Sequence, residues 1–289
     1  MSANHLLHKS AQLVQVTDHW VKFPHGRVFV RNWDPNTESS ALLAPIIMLH
    51  DSLGSVQLWR KFPQLLSVLS GRRVIAYDRL GFGQSDARSD QPSLHFVSEE
   101  ASKYFPVIRQ QLGITRFVAL GHSVGGGMAL CCAEAFPDAC EAVITIAAQA
   151  CVEERTKRGI REAQGVYADP VQFARLARYH AEKTRWVLDA WIENWLHPDF
   201  AEWTIKDRLP YVLCPTLALH GDRDEYGSPS QPEMISRLSG GRPSRMMMLA
   251  GLGHLPYREE PEIVANLVVD FLREIQAGAD DTLETAPER

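Results

Sequence analysis

The segment Gly121-His122-Ser123-Val124-Gly125 places a serine between two glycines at the spacing G-x-S-x-G. In this pattern the serine lies on a sharp turn between a strand and a helix, and the glycines let the backbone make that turn. The pattern alone is weak evidence, but an apolar strand-like run, residues 116–120, precedes it and a helix-forming stretch, residues 124–136, follows it. We therefore predict that Ser123 is a nucleophile and not part of an ordinary glycine turn.

A serine hydroxyl is a weak nucleophile unless an imidazole takes its proton and a carboxylate orients that imidazole. The sequence offers both groups directly after apolar runs, because Asp222 and Asp224 follow one late run and His254 follows the next. Catalytic groups of parallel α/β sheets collect at the carboxyl ends of the strands, so these positions can meet Ser123. His254 is the predicted base. Periodicity does not choose between Asp222 and Asp224, which have the same parity along an extended chain.

The elements that must position these groups follow from the hydrophobic pattern. Apolar runs at residues 45–49, 73–77, 116–120 and 142–147 are each followed by a stretch of helical length, and two further runs come late, at residues 211–219 and 245–250. Continuous apolar runs that alternate with helices are typical of parallel strands buried on both faces. The sequence thus predicts an α/β fold with a mostly parallel central sheet flanked by helices, an edge hairpin at residues 19–33 and a final helix from residue 261 to about 275.

Residues 153–207 interrupt this alternation. They carry no strand signal, they are rich in aromatic residues, and Asp169-Pro170 is a typical helix start. We predict a helical cap here, between a first core part at residues 1–152 and a second at 208–277, with a mobile acidic tail at residues 278–289. The aromatic side chains either fill the core of this small subdomain or cover a pocket as a lid.

Composition limits the classes of partner. The chain has 289 residues, a net charge of −5 and no basic run, so a nucleic-acid partner is not expected. Its longest apolar stretch, residues 41–49, is far below the roughly 18 to 20 residues of a membrane-spanning helix. The first ten residues lack the features of a secretory signal, which predicts a cytoplasmic location. Five cysteines without a Cys-x-x-Cys pair suggest neither a disulfide framework nor a zinc site.

No cofactor or metal is expected. His50, His122 and His220 have carboxylates nearby but lack the spacing of metal ligands on one element. The glycines of residues 78–86 do not form a dinucleotide motif and no phosphate-binding lysine follows them, so this turn is interpreted as scaffold.

Taken together, the chain from about Trp20 to Leu272 resembles an α/β-hydrolase of the lid-bearing serine-hydrolase branch. Four motifs carry the resemblance: the segment Leu49-His50-Asp51-Ser52-Leu53-Gly54, the turn at residues 77–86, the segment around Ser123, and the loops that end at Asp224 and His254. In that family the acid is usually the fourth residue of a Gly-x-x-Asp turn. The resemblance therefore implies Asp224 as the acid, with Asp222 as the alternative.

Attack on an acyl carbon puts negative charge on its oxygen, which backbone N–H groups stabilise. The N–H of Val124, directly after the nucleophile and at a helix start, is the first predicted donor. The resemblance implies the N–H of Ser52 as the second. Most relatives have His-Gly where this chain has His50-Asp51. Aspartate tolerates unusual backbone angles, so the departure concerns the shape of the loop and the substrate, and a side-chain role for Asp51 or Ser52 stays open.

The resemblance implies a metal-independent hydrolase that cleaves an ester or a related acyl bond of a small apolar substrate through an acyl-Ser123 intermediate. Dehalogenases and epoxide hydrolases of this fold are excluded because they need a carboxylate nucleophile. A lactonase, a thioesterase or a carbon–carbon bond hydrolase stays open, as does a receptor that binds a ligand with little turnover. The sequence also leaves open whether the chain forms a homo-oligomer.

Overall fold

The computed structural model describes residues 14–284, and its strands form one eight-stranded sheet. In chain order the strands are β1 (Gln15–Phe23), β2 (Gly26–Asp34), β3 (Ile46–Leu49), β4 (Val74–Tyr77), β5 (Phe117–His122), β6 (Cys140–Ile146), β7 (Thr216–Gly221) and β8 (Ser244–Leu249). They lie side by side in the order β1-β2-β4-β3-β5-β6-β7-β8. β1, β2 and β4 pair antiparallel and the other pairs are parallel. The α/β fold class and the edge hairpin are thereby confirmed.

Helices cover both faces of this sheet. They are α1 (Glu38–Leu42), α2 (Phe62–Ser70), α3 (Phe96–Glu99), α4 (Phe105–Gln111), α5 (Val124–Ala135), α6 (Glu154–Tyr167), α7 (Pro170–His180), α8 (Thr184–Leu196), α9 (Ser230–Leu238), α10 (Pro256–Glu259) and α11 (Pro261–Glu284). A π-helical turn, Glu100–Tyr104, joins α3 to α4, and short 3-10 turns include Val56–Trp59 and Leu209–Tyr211. Among the described helices, none is long and apolar enough to cross a lipid bilayer.

The core consists of two apolar layers, one on each face of the sheet. β3, β4 and β5 are buried along their whole length, which is why their sequences are continuously apolar and do not alternate. One layer contains residues of α5 and the other residues of α2 and α11. A sheet covered on both faces holds its strand ends rigidly, and the predicted site residues follow those ends.

Two predicted boundaries are wrong. The run at residues 211–219 was expected to be all strand, but β7 begins only at Thr216, because Pro215 has no N–H for a ladder and Tyr211 and Leu213 are exposed. The final helix was expected to end near residue 275, but α11 continues to Glu284. Residues 285–289 of the predicted tail lie outside the described residues.

Helices α6, α7 and α8 form an insertion between β6 and β7. Its two ends lie side by side, since Cys151 and Thr204 form an isolated antiparallel bridge. We call residues 152–203 the helical insertion. The predicted helix start at Asp169-Pro170 is confirmed: Oδ1 of Asp169 accepts the N–H of Val171 at 2.9 Å, and Pro170 occupies the first helical position.

Candidate active site

Ser123 lies on a tight turn between β5 and α5, with φ of 56° and ψ of −127°. This conformation is unfavourable for a residue with a side chain and persists only where the surrounding structure enforces it. The flanking glycines make it feasible: a Cβ at Gly121 would overlap the backbone of Gly125, and a Cβ at Gly125 would overlap the backbone of Leu49. The N–H of Ser123 donates to the carbonyl of Ile146 at 2.9 Å, which ties the turn to β6.

The structure brings Ser123, His254 and Asp224 into one line of hydrogen bonds. Nε2 of His254 lies 3.0 Å from Oγ of Ser123, and Nδ1 lies 2.8 Å and 3.0 Å from the two carboxylate oxygens of Asp224. A carboxylate can only accept here, so Nδ1 carries the proton and Nε2 presents its lone pair to the serine hydroxyl. This is the arrangement in which an imidazole can take a proton from an alcohol.

Asp224 and His254 each stabilise the charged form of the other. Burial by itself would lower the pKa of His254, but the hydrogen bond and the charge of Asp224 outweigh burial and raise it above its ordinary value. Burial likewise favours a raised pKa for Asp224, yet the bond to His254 and the charge of that ring hold the pKa below its usual value. The carboxylate therefore stays ionised and stabilises the imidazolium that forms when His254 accepts a proton.

Of the two candidate acids, only Asp224 contacts His254. Its carboxylate is also fixed by the backbone N–H groups of Tyr226 and Gly227, at 2.7 Å and 3.0 Å, and by Nε2 of His220 at 3.4 Å. Asp222 is exposed, and its Oδ1 accepts the N–H of Gly251 at 2.7 Å. Asp222 thus shapes the loop before His254 without reaching the ring.

Of the two predicted oxyanion donors, Ser52 lines the same pocket as Ser123 and His254, and Val124 directly follows the nucleophile. Val124 is also the first residue of α5. Within residues 14–284, neither the N–H of Ser52 nor that of Val124 donates to another group of the chain. Both are therefore available to a bound oxygen. The Val124 N–H also stands at the positive end of the α5 dipole.

The side chain of Asp51 has two structural contacts. Its Oδ1 accepts the N–H of Leu53 at 2.8 Å, which closes the loop that carries Ser52. Its Oδ2 lies 3.2 Å from Nδ1 of His122, while Nε2 of His122 donates to the carbonyl of His254 at 2.8 Å. Both ring nitrogens of the buried His122 thus face acceptors, and burial lowers the pKa of the ring although Asp51 acts to raise it. Although burial disfavours the ionised carboxyl, its bond to His122 holds the pKa of Asp51 far below the usual range.

Two further residues of the site, Gln149 and Glu259, were missed by the sequence analysis. Gln149 follows β6, is buried, and places Oε1 3.1 Å from Oγ of Ser123. Glu259 accepts the N–H groups of Gly253 and Leu255 and so brackets His254. Gln149 could have been identified from the sequence, because it lies shortly after the end of a strand, where the other site residues also lie. No sequence pattern indicates Glu259, because its contacts with Gly253 and Leu255 form only when the loop that contains His254 is folded.

The turn at residues 78–86 is held by Asp78. Its carboxylate accepts the N–H of Val56 at 2.5 Å and that of Gln84 at 2.7 Å, and burial raises its pKa to about 6 despite these bonds. It thereby connects the 3-10 turn after Ser52 to this loop.

The catalytic pocket has a volume of about 340 Å³ and lies between the sheet and the helical insertion. Its apolar wall includes Leu53, Leu58, Ile160, Leu176 and Trp191. Aromatic residues of the insertion have two kinds of environment, and Trp195 takes part in both. Trp195, Phe200 and Trp203 pack against one another, and the pocket is lined by Tyr167, Tyr179, Trp191 and Trp195.

One end of the insertion is fastened to the loops beneath it by His180 and Lys183. Nδ1 of the buried His180 accepts the N–H of Gly83 at 2.9 Å, and Nε2 donates to the carbonyl of Leu53 at 3.0 Å. These roles require a neutral ring, and burial lowers the pKa of His180 accordingly. Nζ of Lys183 donates to the carbonyls of Gly83 and Ser85. The insertion thus directly contacts the loop that carries Ser52.

A family model described as alpha/beta hydrolase fold matches residues 44–173. A curated proline iminopeptidase of Lactobacillus delbrueckii subsp. lactis is 25% identical over 297 aligned positions, covering 90% of this chain and 99% of that protein.

Two solved structures with folds similar to this one are a dienoate hydrolase and a phospholipase. The 2-hydroxy-6-oxo-6-phenylhexa-2,4-dienoate hydrolase of Rhodococcus sp. strain RHA1 has a TM-score of 0.76 at 14% identity, covering 90% of this chain and 99% of its own. A bacterial membrane phospholipase A has a TM-score of 0.73 at 20% identity, covering 94% and 91%. At these identities the likeness concerns the fold alone.

Proposed function

Because the chain has the α/β-hydrolase fold, we propose that it is a serine hydrolase that cleaves a carboxylic ester or a related acyl bond through an acyl-Ser123 intermediate. The observation that carries the proposal is the line of hydrogen bonds from Asp224 through His254 to Oγ of Ser123. We assign Ser123 as nucleophile, His254 as base and then acid, and Asp224 as the group that orients the ring. The backbone N–H groups of Ser52 and Val124 are assigned to the oxyanion.

In the first half-reaction His254 Nε2 takes the proton of Ser123 as Oγ attacks the carbonyl carbon. The negative charge on the carbonyl oxygen is stabilised by the two N–H groups, each worth about 3 to 4 kcal/mol in comparable sites. The imidazolium then protonates the leaving alcohol as its bond to carbon breaks. In the second half-reaction His254 takes a proton from water as the water oxygen attacks the acyl carbon. The imidazolium then returns this proton to Oγ of Ser123 as the bond between Oγ and the acyl carbon breaks and the acid is released.

The walls of the pocket suggest the kind of acyl group. Leucine, isoleucine and tryptophan side chains surround a space of about 340 Å³, which suits a small or medium apolar chain. In the proposed enzyme, residues 153–207 form the cap over a core built from residues 1–152 and 208–277.

A second candidate is removal of an N-terminal proline from a peptide, which the curated relatives favour. The same acyl-enzyme chemistry would serve, with an amine instead of an alcohol as leaving group. Such an enzyme must hold a protonated terminal imino group, and Asp51 and Glu225 are the carboxylates in the pocket. Asp51, however, already binds His122 and the N–H of Leu53, which makes it a poor partner for a second cation.

The test has two parts. A fluorophosphonate probe should label the wild-type protein and leave Ser123→Ala unlabelled, with the surface variant Ser102→Ala labelled like the wild type. A panel of para-nitrophenyl esters, a thioester, a lactone and prolyl para-nitroanilide then identifies the bond. We expect ester hydrolysis to lead the panel. Failure of the wild type to react with the probe contradicts a serine hydrolase, and a dominant prolyl anilide activity replaces the ester by the peptide assignment.

A further inference from the structure

Three arginine side chains line the catalytic pocket, and they come from three different parts of the chain. Arg60 follows the 3-10 turn after the Ser52 loop, Arg175 is on α7 of the helical insertion, and Arg258 is on α10, four residues after His254. No element brings them together by its own periodicity. Their meeting at one cavity is a property of the folded site.

None of these guanidinium groups has a carboxylate partner among the described side chains. Arg175 donates only to the amide oxygen of Gln172, and neither Arg60 nor Arg258 forms an ion pair. Nε of Arg258 is buried and has no acceptor within the described part of the chain. A buried donor of a charged group without a partner is costly, and a ligand oxygen would remove that cost.

The two carboxylates of the pocket offset only part of this charge. Asp51, whose pKa the charge of Arg258 helps to lower, is hydrogen-bonded to His122 and to the N–H of Leu53, and Glu225 is exposed and forms no ion pair with a described residue. The pocket therefore has an excess of positive charge in a chain whose net charge is −5.

A second cavity of the same molecule shows the contrasting case. It is lined by Arg79 and Arg88 but also by Glu99 and Glu100, and Arg88 forms an ion pair with Asp90 at 2.5 Å. There the arginine charge is matched by carboxylates of the chain itself. In the catalytic pocket three arginines face two carboxylates, which leaves one positive charge for an anionic ligand. The difference lies in this charge balance, because Nε of Arg79 in the second cavity is also buried without an acceptor in the described part of the chain.

Arg60 adds a backbone observation. Its φ is 56° and its ψ is −123°, a conformation nearly the same as that of Ser123 and strained for any residue with a side chain. The chain thus holds two strained residues at this pocket, one of them the proposed nucleophile and the other a cation.

From these observations we infer that the substrate carries an oxyanion group, a carboxylate or a phosphate, which the guanidinium groups of Arg60, Arg175 and Arg258 bind while the acyl bond lies at Ser123. Guanidinium groups present paired N–H donors that match the two oxygens of such groups. The inference rests on the proposed acyl hydrolysis and narrows its substrate class to anionic esters. It also argues against a peptide substrate with a protonated N-terminus, which these arginines repel.

The experiment compares matched esters that differ only in charge. On the acyl side, para-nitrophenyl hemiadipate is compared with para-nitrophenyl hexanoate, which has the same chain length. On the alcohol side, para-acetoxybenzoate is compared with its methyl ester. Relative to spontaneous hydrolysis, kcat/KM should favour the anionic member of at least one pair by about 10-fold or more, as expected for one charge-assisted bond. The pair that responds identifies which part of the substrate carries the anion.

The variants are Arg175→Met and Arg258→Met, with Arg178→Met as the matched control, because Arg178 is an exposed arginine of the same helix α7 that does not line the pocket. Each pocket variant should reduce the anionic preference about 10-fold, and the control should leave it unchanged. Arg258→Lys, which keeps the charge, should retain part of the preference. Hexanoate and hexyl phosphate, tested as inhibitors against hexanol, separate a carboxylate from a phosphate as the bound group.

Equal kcat/KM for both members of each pair, relative to spontaneous hydrolysis, would overturn the inference. The proposed function would still stand, because the neutral esters would still be hydrolysed. The inference is also overturned if the preference for anionic esters persists when Arg175 and Arg258 are both replaced. It is overturned as well if hexanol inhibits as strongly as hexanoate and hexyl phosphate. If no ester of either charge is hydrolysed and Ser123 is not labelled, the proposed function itself fails.

Discussion

The site is built from two regions that are held in different ways. The residues of the catalytic line follow the ends of β5, β7 and β8, and backbone hydrogen bonds of the sheet fix them. The helical insertion is instead fastened to the loops beneath it by side chains, among them His180, Lys183 and Thr156. In the proposed enzyme, chemistry thus depends on the sheet edge, and the choice of substrate depends on the helices that these side chains anchor above it. Variants of the two regions should therefore fail in different ways.

The largest effect is expected in the sheet-edge region, from Asp224→Asn. An amide cannot stabilise the imidazolium, so kcat should fall by about 10³- to 10⁴-fold on every ester. The wild-type rate should rise with pH as His254 loses its proton, with a midpoint above about 6.5 because Asp224 raises that pKa. In Asp224→Asn the lowering effect of burial remains, so the midpoint should move to lower pH.

The pH–rate profiles of both proteins on one ester provide the measurement. Asp222→Asn is the control, since Asp222 does not contact the ring. An unshifted midpoint in Asp224→Asn, or an equal loss in Asp222→Asn, would contradict the assignment of the acid.

The next largest effect belongs to the insertion and concerns stability. His180→Ala removes the partners of the Gly83 N–H and the Leu53 carbonyl, which should lower the free energy of unfolding by about 2 to 4 kcal/mol. Glu193→Ala, an exposed change on α8, should stay within about 0.5 kcal/mol. Urea unfolding measures both. Equal stability of His180→Ala and the wild type would mean that this anchor contributes nothing.

A smaller effect should alter selectivity instead of rate. Trp191→Leu enlarges the pocket wall, so the preferred acyl chain should lengthen and the ratio of kcat/KM for long over short esters should rise about 10-fold. Trp186→Leu, on the same helix but outside the catalytic pocket, should leave the ratio unchanged. If Trp191→Leu instead lowered kcat/KM equally for esters of all chain lengths, Trp191 would contribute to catalysis and not to selectivity.

The smallest expected effect is that of Asp51→Asn. The amide oxygen can still accept the N–H of Leu53, so the loop keeps its shape, but the negative charge near His254 is lost. The midpoint of the pH–rate profile should therefore move to lower pH, by less than in Asp224→Asn. An unchanged midpoint would show that the carboxyl of Asp51 is already protonated in the wild type, contrary to the direction of its pKa.

The same division of the molecule explains what the sequence could predict. The strand segments and the positions of Ser123 and His254 follow from local patterns, because each of these residues stands shortly after an apolar run. The order of the strands in the sheet was not predicted. The choice of Asp224 over Asp222 needed the resemblance to a family, since both have the same parity, and the contact with His254 appears only in the folded structure. No local pattern encodes the roles of His180 and Gln149 or the contact between Asp51 and His122. Each of these contacts joins residues that are 26 or more positions apart in the chain.

The bridge between Cys151 and Thr204 has a consequence for engineering. The chain leaves the sheet and returns to it at nearly one point, so everything between these residues is joined to the rest by a narrow stem. A chimera that replaces this segment with the corresponding segment of another protein needs to match only that junction and the loop contacts below. Recombination at this stem would then transfer one protein's selectivity onto another's reaction centre.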